Sequence, residues 1–245
     1  MSYFVKTPGL LRALYKSCVW RFRPAAPTVY LTFDDGPHPK ATPFVLEQLR
    51  KYKALATFFC IGKNVAAYPD VYQQIFIDGH AVGNHTHNHL NGWKTGTRKY
   101  VENVRLAEQY IDSRLFRPPY GKITPFQIRE LKNPTAPAGD SISDSGGGAT
   151  GSGEATAPPG ILPASASVQG FRIIMWDVLS GDFDTDLDPK DCLQNVLFRA
   201  ESGSIIVFHD SEKAWERLEY ALPRVLEHFS RNGFRMAAIP QENGE

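Results

Sequence analysis

Strand-like and helix-like runs alternate along most of this chain, and that alternation constrains the fold more than any other feature. Apolar, β-branched or aromatic runs occupy residues 29–33, 55–61, 80–83, 171–176, 204–208 and 234–239. Helical patterns fall between them, at 43–51, 69–78, 97–113, 124–132, 189–200 and 212–230. Several open on good start signals: Thr42-Pro43, Tyr68-Pro69 and Asp188-Pro189. Alternating β and α units predict a parallel sheet, either open or closed as a barrel. A chain of 245 residues is long enough for one large domain with a sizeable core.

Two segments break the rhythm. Residues 133–169 are rich in Gly, Ser, Ala, Thr and Pro, with Ser145-Gly146-Gly147-Gly148 in the middle. This composition buries too little apolar surface to offset the entropy of ordering it, so a flexible surface insertion is expected. Residues 1–27 form the other segment. Its apolar stretch at 10–20 is interrupted by Arg12 and Lys16 and followed by Arg21 and Arg23. It is too short and too charged to span a bilayer, and it lacks the uninterrupted apolar zone of an export signal. The expectation is an amphipathic helix packed on the domain, with membrane-surface attachment as the alternative. In the absence of such a signal, a cytoplasmic location is expected. The net charge of +1 gives no reason to expect a nucleic-acid partner. Cys18, Cys60 and Cys192 are widely spaced and form no CxxC pair, which argues against a disulfide framework.

Five clusters of polar residues sit at or just beyond strand-like runs. Thr32-Phe33-Asp34-Asp35-Gly36-Pro37 ends the first run, and Gly and Pro stop the strand there. The two adjacent carboxylates can then splay, one toward a metal and one toward a water on it. Read alone, the same residues also make an ordinary turn. His85-Thr86-His87-Asn88-His89 follows the run at 80–83, and the spacing predicts a helical turn with His85 and His89 on one face. Two imidazoles and one carboxylate, for which Asp35 is the obvious candidate, make a three-ligand catalytic metal site. Such a set suits zinc and also accepts cobalt, nickel or manganese. Arg117-Pro118-Pro119-Tyr120-Gly121 has an irregular backbone that can hold a guanidinium and aim a backbone N–H at a substrate oxygen. The fourth cluster runs from Trp176-Asp177 to Asp182-Phe183. His209, just past the apolar run at 204–208, is a general-acid candidate or a capping histidine. In parallel α/β proteins the strand ends converge on one rim, where active sites sit.

Taken together, these blocks resemble the polysaccharide deacetylases, the NodB homology family also called carbohydrate esterase family four. The similarity runs from about Thr28 to Ile239. It implies an α/β fold, a distorted (β/α) barrel with about seven parallel strands, in a catalytic domain at 28–240. It implies a metal site of Asp35, His85 and His89, with Asp34 as general base held by Arg117. The backbone N–H of Tyr120 would help bind the oxyanion, and His209 would be the general acid, oriented by Asp182. The family usually has Trp where Phe183 stands and Leu-x-His where Val207-Phe208-His209 stands, so substrate fit is the property these departures touch. The implied reaction is metal-dependent hydrolysis of N-acetyl groups on an amino-sugar glycan with release of acetate, by a monomer. O-deacetylation at the same site, or a sugar-binding module without turnover, are the alternatives.

Overall fold

The computed structural model describes residues 3–133 and 170–241. Its centre is β1 (Thr28–Asp34), seven residues that are all buried. A strand buried on both faces belongs in the middle of a parallel sheet covered by helices. β2 (Thr57–Cys60) and β7 (Ile205–His209) flank β1, both parallel to it. From β2 the sheet continues through β3 (Ala81–Asn84), β4 (Leu115–Phe116) and β5 (Arg172–Ile173). On the other side β6 (Val178–Leu179) joins β7, giving the order β5-β4-β3-β2-β1-β7-β6. An eighth short strand, β8 (Arg235–Met236), pairs with the start of β1. The result is a curled, incomplete α/β barrel of seven parallel strands.

Side-chain alternation along β1 sorts its residues by job. Val29, Leu31 and Phe33 point outward into the main core. There they meet Val45, Leu46 and Leu49 of α2 (Ala41–Lys51) and Leu218, Leu222, Val225 and Leu226 of α8 (Trp215–Arg231). The buried positions of α8 recur every three or four residues, the pattern of a helix with one apolar face. Tyr30 points the other way, into an inner cluster with Phe59, Leu115, Ile174 and Ile205. Thr32 and Asp34 share that inward parity, so Asp34 stands at the carboxyl end of the inner face. The remaining helices are α1 (Gly9–Leu14), α3 (Gly62–Ala67), α4 (Pro69–Ile77), α5 (Thr97–Glu108), α6 (Pro125–Lys132) and α7 (Pro189–Leu197).

The structure corrects four of the sequence expectations. The run at 171–176 is a strand only at Arg172–Ile173; the chain then crosses from one edge of the sheet to the other and forms β6 there. Thr42-Pro43 is not the start of α2, which begins at Ala41, and the Thr42 hydroxyl is engaged by His38 N–H and Asp210. The turn carrying His85 to His89 is an irregular loop rather than helical. The expected N-terminal helix is present as α1, but it is short and is not what packs on the domain: it has six residues and none is buried. What packs is the extended chain on either side of it. Lys6 bridges Val178 of β6, Val19 bridges Ile174 just after β5, and Arg21 bridges Ser204 just before β7. The expected insertion lies, apart from Asn133, outside the described residues. Cys18, Cys60 and Cys192 are free and buried. Among the described residues no helix is long and apolar enough to cross a membrane.

Candidate active site

The carboxyl ends of β1, β3, β4, β6 and β7 bring all eight candidate residues to one rim. At the end of β1 the backbone of Asp35 turns left-handed, with φ of 78°. This turn separates two neighbouring carboxylates, sending Asp34 inward and Asp35 toward the loop after β3. Asn64 Nδ2 holds the Asp35 carbonyl at 2.7 Å.

Asp34 meets Arg117, which follows β4 and is completely buried. Nη1 of Arg117 donates to Asp34 Oδ1 at 2.6 Å and to Thr32 Oγ1 at 2.7 Å. Its Nε donates to the Ile174 carbonyl at 3.2 Å and Nη2 to that of Met175 at 3.0 Å. The guanidinium also lies 4.1 Å from the centroid of the Phe59 ring. Burial lowers the pKa of the guanidinium, and Asp34 opposes that shift. A carboxylate fixed this way can still take a proton on the oxygen that Arg117 leaves free.

Asp35, His85 and His89 form the candidate metal centre, with one ligand atom from each lying within 4.8 Å of the others. His85 Nδ1 is 2.8 Å from the Arg117 carbonyl. A carbonyl only accepts, so Nδ1 carries the proton and Nε2 keeps its lone pair for a cation. His89 Nδ1 lies 3.1 Å from the Tyr120 hydroxyl. Asp35 Oδ1 sits 3.5 Å from His85 Nε2 and 3.0 Å from His89 Nε2, yet it is buried with no hydrogen-bond partner. A partnerless buried carboxylate oxygen facing two imidazole nitrogens fits a divalent cation. His87, between the ligands, turns away and stacks on Tyr110, their ring centroids 5.5 Å apart.

Across the rim, Asp182 carries His209. Its Oδ1 is 2.8 Å from His209 Nδ1 and its Oδ2 accepts the His209 backbone N–H at 2.7 Å. Arg217, itself buried, donates to the Asp182 carbonyl at 2.8 Å. Burial alone would lower the His209 pKa, but Asp182, aided by Asp35 and Asp34, raises it to about 9. The ring is therefore an imidazolium at neutral pH, with Nε2–H free to donate. Tyr120 sits in a turn with φ of 60°, and its side chain is exposed. In that turn the N–H groups of Gly121 and Lys122 bond to Pro118 and Pro119, while that of Tyr120 has no partner among the described residues.

Asp210 takes a part the sequence reading did not give it. Its Oδ1 accepts the Gly36 N–H at 3.1 Å, its Oδ2 accepts the Thr42 hydroxyl, and its own N–H donates to the Asp34 carbonyl at 3.1 Å. Burial pushes the Asp210 carboxyl up to about 8, against the pull of Thr42 and with a smaller push from Asp35 and Asp34. A methyl group on Gly36 would stand 2.1 Å from Asp210 Oδ2, so only glycine fits there. The adjacency to His209 was visible in the sequence, but the partners lie at the far end of the chain.

A family profile described as polysaccharide deacetylase matches residues 23–133. A chitooligosaccharide deacetylase of Sinorhizobium fredii is 39% identical over 247 residues, covering 94% of this chain and 98% of its own. A peptidoglycan-N-acetylglucosamine deacetylase of Bacillus cereus is 26% identical over 226 residues, covering 87% of this chain and 86% of its own. A solved peptidoglycan N-acetylglucosamine deacetylase superimposes with a TM-score of 0.70 at 24% identity, covering 95% of this chain and 99% of its own, and so shares the fold. Similarity over nearly the full length of the chitooligosaccharide enzyme settles the kinship: this chain belongs to the polysaccharide deacetylase family.

Proposed function

We propose that the protein is a metal-dependent deacetylase that hydrolyses N-acetyl groups of amino-sugar poly- or oligosaccharides and releases acetate. The observation that carries this reading is the division of labour between Asp34, bound by a buried arginine, and Asp35, whose buried oxygen faces two imidazoles. A pure sugar-binding module needs neither a second carboxylate beside its metal ligand nor an imidazolium opposite. The 39% identical relative is named for chitooligosaccharide, which favours an N-acetylglucosamine oligomer as substrate.

A divalent cation held by Asp35, His85 and His89, zinc by the chemistry of the set, supplies Lewis-acid polarisation of the acetamide carbonyl and a lower pKa for water. Asp34 is the general base, and Arg117, itself held by Thr32, keeps its carboxylate aimed at the rim. The Tyr120 N–H donates to the oxygen that becomes negative as water adds to the carbonyl. His209 Nε2–H protonates the departing amine nitrogen while Asp182 holds the ring in orientation. The C–N bond breaks, acetate leaves, and the proton taken by Asp34 balances the one given by His209.

The test is acetate release by zinc-loaded protein from N-acetylated chito-oligosaccharides, peptidoglycan fragments and acetylated xylan. The N-acetylated substrates are expected to turn over and the O-acetylated one to lag. Asp34→Asn is expected to lower kcat by about 10³-fold or more with zinc still bound, the scale of general-base catalysis. Full activity in that variant would sink the assignment of the base; acetate from xylan alone would overturn N-deacetylation.

A further inference from the structure

The N-terminal arm ends against the wall of the acid site. Residues 5–7 lie along the edge of β6: Leu179 N–H donates to the Val5 carbonyl at 2.8 Å, and Thr7 N–H to that of Asp177 at 3.0 Å. Lys6 Nζ reaches Asp177 Oδ2 at 2.7 Å and the Arg199 carbonyl at 2.9 Å. Asp177 is fully buried and also accepts from Ser204 Oγ at 2.6 Å, so this anchor is set inside the fold. From the anchor the chain carries Tyr3 to the Phe183 ring, with centroids 5.1 Å apart and planes at 56°. Phe183 in turn stands edge-on to His209, with centroids 5.3 Å apart at 70°. Gly181, with φ of 84°, makes room for the contact, because a methyl group there would lie 2.7 Å from the Tyr3 hydroxyl. The arm precedes the stretch that the family profile matches.

We propose that Tyr3 is a positioning residue for the deacetylation proposed above, acting through Phe183 to hold the His209 ring at the angle from which it donates its proton. The inference rests on that reading of the site. Phe183 follows directly on Asp182, so a Phe183 ring free to move loosens the residue that orients the acid. Ring-to-ring packing of this kind fixes geometry because aromatic pairs have preferred tilts. Proton donation to a leaving nitrogen is sensitive to displacements of an ångström.

The experiment is a double-mutant cycle on acetate release. Tyr3→Ala is expected to lower kcat about tenfold with KM little changed, in line with a small misplacement of a reacting group. Tyr3→Phe keeps the ring and is expected to restore the wild-type value. In a Phe183→Ala background, Tyr3→Ala is expected to cost nothing more, since residues acting through one contact are not additive. Wild-type kcat in Tyr3→Ala, or losses that multiply independently, would overturn the proposal. If the wild-type protein releases no acetate, the functional reading fails by itself. The positioning is then read from the His209 Cε1–H resonance, which is expected to move in Tyr3→Ala and not in Tyr3→Phe. A resonance that stays put in Tyr3→Ala overturns it.

Discussion

The two halves of the site are held by different means. On the metal side, Asp35, His85 and His89 are placed by distorted backbone. Five non-glycine residues among those described have positive φ, and four of them are Asp35, Thr86, His89 and Tyr120. Each such residue costs on the order of 1–3 kcal/mol and persists only where its surroundings over-determine it. On the side proposed to move protons, Asp34, Arg117, Asp182 and His209 stand at or just past strand ends and are bound by buried and part-buried hydrogen bonds. That half is electrostatically complete in the protein alone. The ligand half is not, because Asp35 Oδ1 is buried without a donor. The contrast teaches that stability and cation binding reside in different residues of the same site.

Removing Arg117 should break the contrast most severely. Arg117→Met leaves Asp34 buried without its cation, at a cost of about 3–5 kcal/mol. The metal-free protein is then expected to melt about 10 °C lower by circular dichroism. A melting temperature near wild type would mean that the buried pair does not hold this half together. Next in size, zinc at about 1,000 times its Kd is expected to stabilise the wild-type protein by about 4 kcal/mol. Asp35→Ala should abolish that rise while leaving the metal-free melting temperature nearly unchanged. An undiminished zinc response in Asp35→Ala would remove Asp35 from the ligand set.

The smallest effect concerns protons. Burial works against the charge on His209, but Asp182 prevails and lifts its pKa from 6.5 to about 9. A histidine raised on folding adds stability that is fully present below pH 6.5 and is lost as the pH rises through about 9. In the metal-free protein, an NMR titration of His209 is expected to show a midpoint near 9. Asp182→Asn should bring it down toward the ordinary value and remove that pH-dependent stability. A midpoint unaffected by Asp182→Asn would show that Asp182 orients His209 without charging it.

What the sequence disclosed follows the same division. β1 and β7 were readable because each has a run of four or more consecutive buried residues, which leaves a continuous apolar signature. β4 and β6 have two residues each, too few to carry a period, so neither stood out as a strand-like run. The Asp34-Asp35 turn was legible because Gly36 and Pro37 mark it. The His85–His89 loop was misjudged for a physical reason. Thr86 and His89 adopt left-handed φ without being glycine, and nothing in their identity announces it. Asp210 escaped notice as a structural clamp because Thr42, its hydroxyl partner, lies 168 residues away. In the N-terminal segment the helix was legible from its apolar residues, but its packing was not, because the backbone donors and acceptors on either side of the helix are what the sheet edges use.

The break in the sheet between β5 and β6 bears on how Asp34 is held. Where the chain crosses the gap, the Ile174 and Met175 carbonyls accept no backbone N–H among the described residues, and Arg117 bonds to them instead. A fully closed barrel would commit those carbonyls to a ladder of strand hydrogen bonds. The guanidinium would then compete for half of its acceptors, which would weaken its hold beneath Asp34. Barrel closure and the buried arginine call on the same carbonyls, and the gap in the sheet leaves them to Arg117.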